Sequence, residues 1–73
     1  MSVTWESEAM KRERELGTAF EAGVKAGRLD RFIGIRSEYA YHVAGDGGYA
    51  GAYGTGYRDG IDGMGSKNPW RVR

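Results

Sequence analysis

Residues 48–65 read GYAGAYGTGYRDGIDGMG, a run in which tyrosines recur every four residues among closely spaced glycines. The two properties oppose each other. A four-residue step is a helical step, yet glycine in a helix interior costs up to about 1 kcal/mol relative to alanine. Wound as a helix over 49–64, Tyr49, Tyr53, Tyr57 and Ile61 form one ridge. Ala52, Gly56 and Gly60 form a second ridge beside it, with Gly63 close by, while Gly51, Thr55, Arg58 and Asp62 face away. Five glycines in one helix make physical sense when the bare side is covered by another backbone at short range. The competing reading is a flexible Gly/Tyr loop.

A second stretch has the same character. AFEAGVKAGR at 19–28 and AYGTGYRDGI at 52–61 align as Ala, aromatic, two residues, Gly, one residue, a base, one residue, Gly. A helix over roughly 5–27 places Trp5, Ala9, Leu16, Ala19, Phe20, Gly23, Val24 and Gly27 on one face. Lys11, Arg14, Thr18, Ala22 and Lys25 fall on the other, and Arg12 and Glu13 snorkel at the margin. Thr4 is a plausible N-cap, with Glu6 and Glu8 where the helix dipole favours acids. The expectation is two helices packed through Ala19, Gly23 and Gly27 on one and Ala52, Gly56 and Gly60 on the other.

Between them, 30–44 is read as a shorter helix capped by Asp30, with Phe32, Ile35, Tyr39 and Val43 on one face; a start as late as Ser37 is the alternative. GDGG at 45–48 has turn chemistry. The fold expected is all-α: a small helical bundle of two long helices plus a shorter middle helix. It forms one domain over 1–66, followed by a basic aromatic tail, 67–73.

The residues offer little chemistry. His42 is the one histidine and cysteine is absent, so no zinc set exists at ligand spacing. His42 with Asp46 is a weak pair, and no nucleophile turn surrounds Ser37. The GxGxxA match at 45–50 lacks the βαβ unit that would give it meaning. Asp59 and Asp62 lack the ligand alternation of a calcium loop. The chain is therefore expected to be neither an enzyme nor a cofactor protein. A formal charge of +1 provides no global field for nucleic acid or acidic lipid. No apolar run is long enough to span a bilayer, and no signal-peptide core opens the chain. A cytoplasmic protein with no membrane partner is the expectation.

Ala19-x-x-x-Gly23-x-x-Ala26-Gly27-Arg28, followed by Tyr53-x-x-Gly56-Tyr57-Arg58-Asp59-Gly60, resembles the ribosome modulation factor family over about ten residues in each of two places. The resemblance implies a small two-helix protein that binds the bacterial ribosome and promotes its inactive storage form, with Tyr53, Tyr57 and Arg58 on the matching second helix. The chain departs from that family in its near-neutral charge and in lacking the Cys-Pro-Tyr element between the helices.

The functional expectation is a small protein that binds and inhibits or modulates a larger macromolecular machine, such as a phage- or mobile-element-encoded inhibitor of a defence nuclease or of polymerase. A ribosome-binding hibernation protein and a structural homo-oligomer are the alternatives. The partner is expected to be a protein complex or the ribosome, with rRNA contact and self-association left open. Tyrosine and arginine are enriched in binding hot spots, so Tyr49, Tyr53, Tyr57 and Arg58, with Trp70, Arg71 and Arg73 from the tail, are the expected partner-binding residues.

Overall fold

The computed structural model describes residues 8–65 and 67–70. Thr4, Trp5, Glu6, Arg71 and Arg73 lie outside the described residues. The described residues form helices and connecting turns. α1 is Glu8–Ile33, α2 is Glu38–His42, a 3-10 turn follows at Val43–Gly45, and α3 is Gly48–Asp62. The all-α bundle of two long helices and a shorter middle one is what forms.

α1 and α3 touch backbone to backbone. A methyl built on Gly23 would overlap the Tyr53 carbonyl and lie 2.9 Å from the Tyr57 nitrogen; one built on Gly56 would overlap the Phe20 carbonyl and lie 3.0 Å from the Val24 nitrogen. Four residues on, Gly27 and Gly60 face each other, each added methyl falling 3.0 Å from the other glycine's Cα. The contacts are reciprocal at a shift of 33 residues: Gly23 meets 53 and 57, and Gly56 meets 20 and 24. The internal repeat therefore forms the two halves of one seam. Contacts advance together along both chains, so the helices run parallel.

A parallel pair needs a connection that travels back. Residues 34–47 supply it on the far side of α3. Ser37 lies at Tyr57, Ala40 and Ala44 lie at Gly54, and Asp46 lies at Gly51. The return leg therefore runs antiparallel across α3, which becomes the middle layer. Gly51 and Gly54, the first of which had been placed on the outward side, are buried against this leg. A methyl on Gly54 would lie 2.5 Å from the Ala44 nitrogen, and one on Gly51 would overlap the Asp46 carbonyl. α3 thus carries glycine on two faces because backbone approaches it from two sides.

The middle segment differs from expectation. Asp30 does not cap a new helix; α1 continues through it to Ile33. Gly34, at φ +80, then closes α1 in a Schellman turn, with Gly34 N–H donating to the Arg31 carbonyl at 3.3 Å and Ile35 N–H to the Asp30 carbonyl at 2.9 Å. Ser37 is the true N-cap of α2, its hydroxyl accepting from Ala40 N–H at 3.2 Å. Of the four residues expected to share a face, Val43 is buried and Phe32, Ile35 and Tyr39 are exposed. The buried apolar side chains are few: Leu16, Phe20, Ala40, Val43, Ala52 and Tyr57.

Gly23→Ala and Gly56→Ala each gain helix propensity but overfill the seam. We expect a net loss of about 1–3 kcal/mol, read as a fall in Tm of roughly 5–20 °C. Gly45→Ala, where an added methyl meets nothing within 4 Å, should leave Tm nearly unchanged.

Candidate interaction surface

The expected tyrosine ridge divides on folding. Tyr49 stays exposed, and its hydroxyl donates to the Glu15 carboxylate at 2.6 Å; that bond, followed by partial desolvation, raises its pKa. Tyr53 is half-buried. Tyr57 is only 1% exposed, so it cannot be the surface contact expected of it. Its backbone abuts Gly23 and Gly27, which draws its ring inward. Its hydroxyl accepts from Ser37 N–H at 2.6 Å and donates to the Asp30 carboxylate. One phenol thereby ties α3 to the last turn of α1 and to the cap of α2. Burial first, and the bond to Asp30 second, raise its pKa.

Arg58 is exposed but engaged. Its Nε donates to the Tyr41 carbonyl at 2.7 Å and its guanidinium carbon sits 4.5 Å from the Tyr41 ring centre. Arg36 approaches the same ring at 4.6 Å and bonds the Glu38 carboxylate at 2.8 Å, which raises the Arg36 pKa and lowers that of Glu38. This cluster fastens the return leg to α3. His42 is exposed, with its ring 3.5 Å from the Glu38 carboxylate. Asp59, next to Arg58 on α3, is buried at 5% exposure.

The tail folds back onto α1. Asn68 donates to the Gly17 carbonyl at 2.9 Å and to the Glu21 carboxylate at 3.0 Å, and accepts from Trp70 N–H at 2.9 Å. The Trp70 ring lies 5.8 Å from that of Phe20, tilted by 56°. Gly17 leaves the seat: a methyl there would come within 3.2 Å of the Trp70 carbonyl. Trp70 is half-buried on its own chain. Between the tail, α3 and the 3-10 turn an open groove of about 470 Å³ remains, with Phe20, Tyr41, Met64 and Pro69 among its apolar lining.

Of the packing residues expected, Gly23, Gly27, Gly56 and Gly60 meet in the seam, Ala52 is buried and Ala19 is half-buried. Gly23, Gly27, Gly56 and Gly60 are buried within the chain, and Gly63 at the end of the ridge is exposed.

The exposed apolar surface lies elsewhere. α1 outruns α3: Gly27 pairs with Gly60 and Arg31 reaches Gly63, so the last turn of α1 has no helix beside it. That turn carries Leu29, Phe32 and Ile33 at i, i+3 and i+4, on the side opposite the seam. Phe32 is 87% exposed, and Leu29, Ile33 and Ile35 are each more than half exposed. The Schellman turn brings Ile35 back toward the Leu29 position. Tyr39 and Met64 are exposed as well. The overhang at the other end, 8–14, is exposed and mostly charged. The sequence signal for the apolar end was FIGI at 32–35, whose residues fall off the buried stripe.

Comparison of the chain with protein-family models, with curated proteins and with solved structures finds no match. Among the described residues, no helix is long and apolar enough to cross a membrane.

Tyr57→Phe removes a hydroxyl that satisfies two groups, and should cost about 1–3 kcal/mol at neutral pH. Because the folded phenol has a raised pKa, its contribution is complete below the ordinary value of about 10 and is lost as pH rises beyond it. The gap between wild type and Tyr57→Phe in urea melts should therefore narrow from about pH 10 upward. Asn68→Ala should detach the tail, shifting the Trp70 indole N–H resonance toward its value in denaturant while Tm changes by only a few degrees.

Proposed function

We propose that this chain is a small non-enzymatic docking module that binds a larger macromolecular assembly through the free end of α1, and modulates it by occupying its surface. The observation that carries the reading is the exposure of Leu29, Phe32, Ile33 and Ile35, gathered in sequence at the end of α1. At the 150–250 Å² typical of an aromatic side chain, Phe32 at 87% exposure leaves about 130–220 Å² uncovered, and the exposed aliphatic residues Leu29, Ile33 and Ile35 add to that toward the largest apolar patches found on monomers. Patches of this size on soluble proteins mark interaction sites. A chain this short has few buried side chains to spare, so leaving four large ones outside is a disadvantage unless something covers them. Three of the other residues expected to contact a partner have intramolecular roles: Tyr57 with Asp30 and Ser37, Arg58 with Tyr41, and Trp70 with Phe20.

The ribosome reading uses the same module. Gly23, Gly27, Gly56, Tyr57 and Gly60, which carry much of the resemblance to ribosome modulation factor, lie in the helix seam. They support a shared way of pairing helices, and the ribosome is then one assembly on which docking is to be measured.

The double variant Phe32→Ser/Ile33→Ser separates docking from folding. Exposed substitutions usually change stability by no more than about 0.5 kcal/mol, so Tm should hold within a few degrees. Retention of the binding partner, or co-sedimentation with ribosomal particles, should fall at least about tenfold. Undiminished binding by the folded variant would remove the end of α1 from the interface.

A further inference from the structure

The charges around the free end of α1 are mostly basic. Residues 25–36 hold Lys25, Arg28, Arg31 and Arg36 against Asp30 alone, and Asp30 turns inward to the Tyr57 hydroxyl. Two of the bases are already engaged. The Arg31 guanidinium lies over Gly63, at the C-terminal end of α3 where a cation is favoured, and Arg36 is bonded to Glu38. Lys25 and Arg28 are exposed one to two turns before Phe32, beside Leu29, and neither has an ion pair among the described residues.

Resting on the docking reading above, we propose that the end of α1 inserts into an apolar groove of a partner protein whose rim carries carboxylates opposite Lys25 and Arg28, with Phe32 as the anchor. Three arguments select this occupant. Leu29, Phe32 and Ile33 repeat at i, i+3 and i+4, the anchor spacing by which a helix lies in a protein groove. A second copy packed through the same face would bring its own Lys25 and Arg28 to the interface, adding like charge and no carboxylate opposite them, which opposes association. Nucleic acid would satisfy the bases, but three of the four apolar residues are aliphatic and present no ring for a base to stack on.

The test places p-benzoylphenylalanine at position 32 of the full chain and illuminates it in an extract of the source cells, at about 0.1 M and about 1 M salt, where the Debye length shrinks from about 10 to 3 Å. The same is done in the Lys25→Glu/Arg28→Glu background and with Leu29→Ser. Vesicles containing an anionic phospholipid and equilibrium sedimentation of the pure protein run beside it. The proposal expects a protein adduct whose yield drops at least about tenfold with salt and with charge reversal, falls with Leu29→Ser, and whose cross-linked peptide is flanked by Asp or Glu. An adduct indifferent to salt and to charge reversal overturns the acidic rim but leaves docking intact. An adduct with a second copy, supported by a dimer in sedimentation, or binding to anionic vesicles without a protein adduct, replaces the proposed occupant. No adduct, no vesicle binding and a monomer would remove the docking reading itself.

Discussion

The close approach of two helix backbones at Gly23, Gly27, Gly56 and Gly60 decides the rest of this structure. At such range a side chain larger than hydrogen has no room, which fixes glycine at these positions. It also fixes direction. Reciprocal contacts at a constant shift of 33 residues are those of a parallel pair, and a parallel pair obliges residues 34–47 to run back along α3. Because that return leg also approaches α3 closely, at Gly51 and Gly54, one short helix carries glycine on two faces. The propensity lost at these glycines is offset by dispersion contacts between backbones and by the Tyr57 and Arg58 anchors that the close approach brings within reach.

The mismatch in helix length follows from the same seam. With the register set at Gly27 and Gly60, α3 stops at Asp62 while α1 continues to Ile33. The return leg packs against α3 and not against α1, so nothing within the described residues covers the far side of the last α1 turn. The two overhangs of α1 then differ in kind. The one at 8–14 is mostly charged and suits water; the one at 29–33 is apolar. That asymmetry, and not the tyrosine content, is the structural basis for reading the chain as a docking module.

Much of the helix pairing was legible in the sequence, because the four-residue steps of Ala19, Gly23 and Gly27 and of Ala52, Gly56 and Gly60 survive as local pattern. What periodicity could not decide was which of two adjoining ridges on α3 faces inward. Tyr57 adjoins Gly56, and its burial depends on an acid 27 residues away and on the Ser37 amide, neither of which is visible in local spacing. The Asp30 cap was misread because an aspartate before an apolar run is also compatible with the last turn of a helix that Gly34 ends. Gly51 was placed outside because its neighbour, the Asp46 carbonyl, comes from a leg whose path depends on the parallel arrangement. The exposed site was hidden for a related reason: FIGI looks like core until the seam and the path of the return leg show which face of α1 is left uncovered.

The central claim is the parallel glycine seam, and the most direct measurement of it is the set of nuclear Overhauser contacts between backbone protons of α1 and α3. The account predicts cross-peaks joining the α protons of Gly27 to those of Gly60 and joining Gly56 to Phe20 and Val24. Absence of these peaks, or a pattern in which Gly23 meets Gly60 while Gly27 meets Gly56, would show helices that are apart or antiparallel and would contradict it.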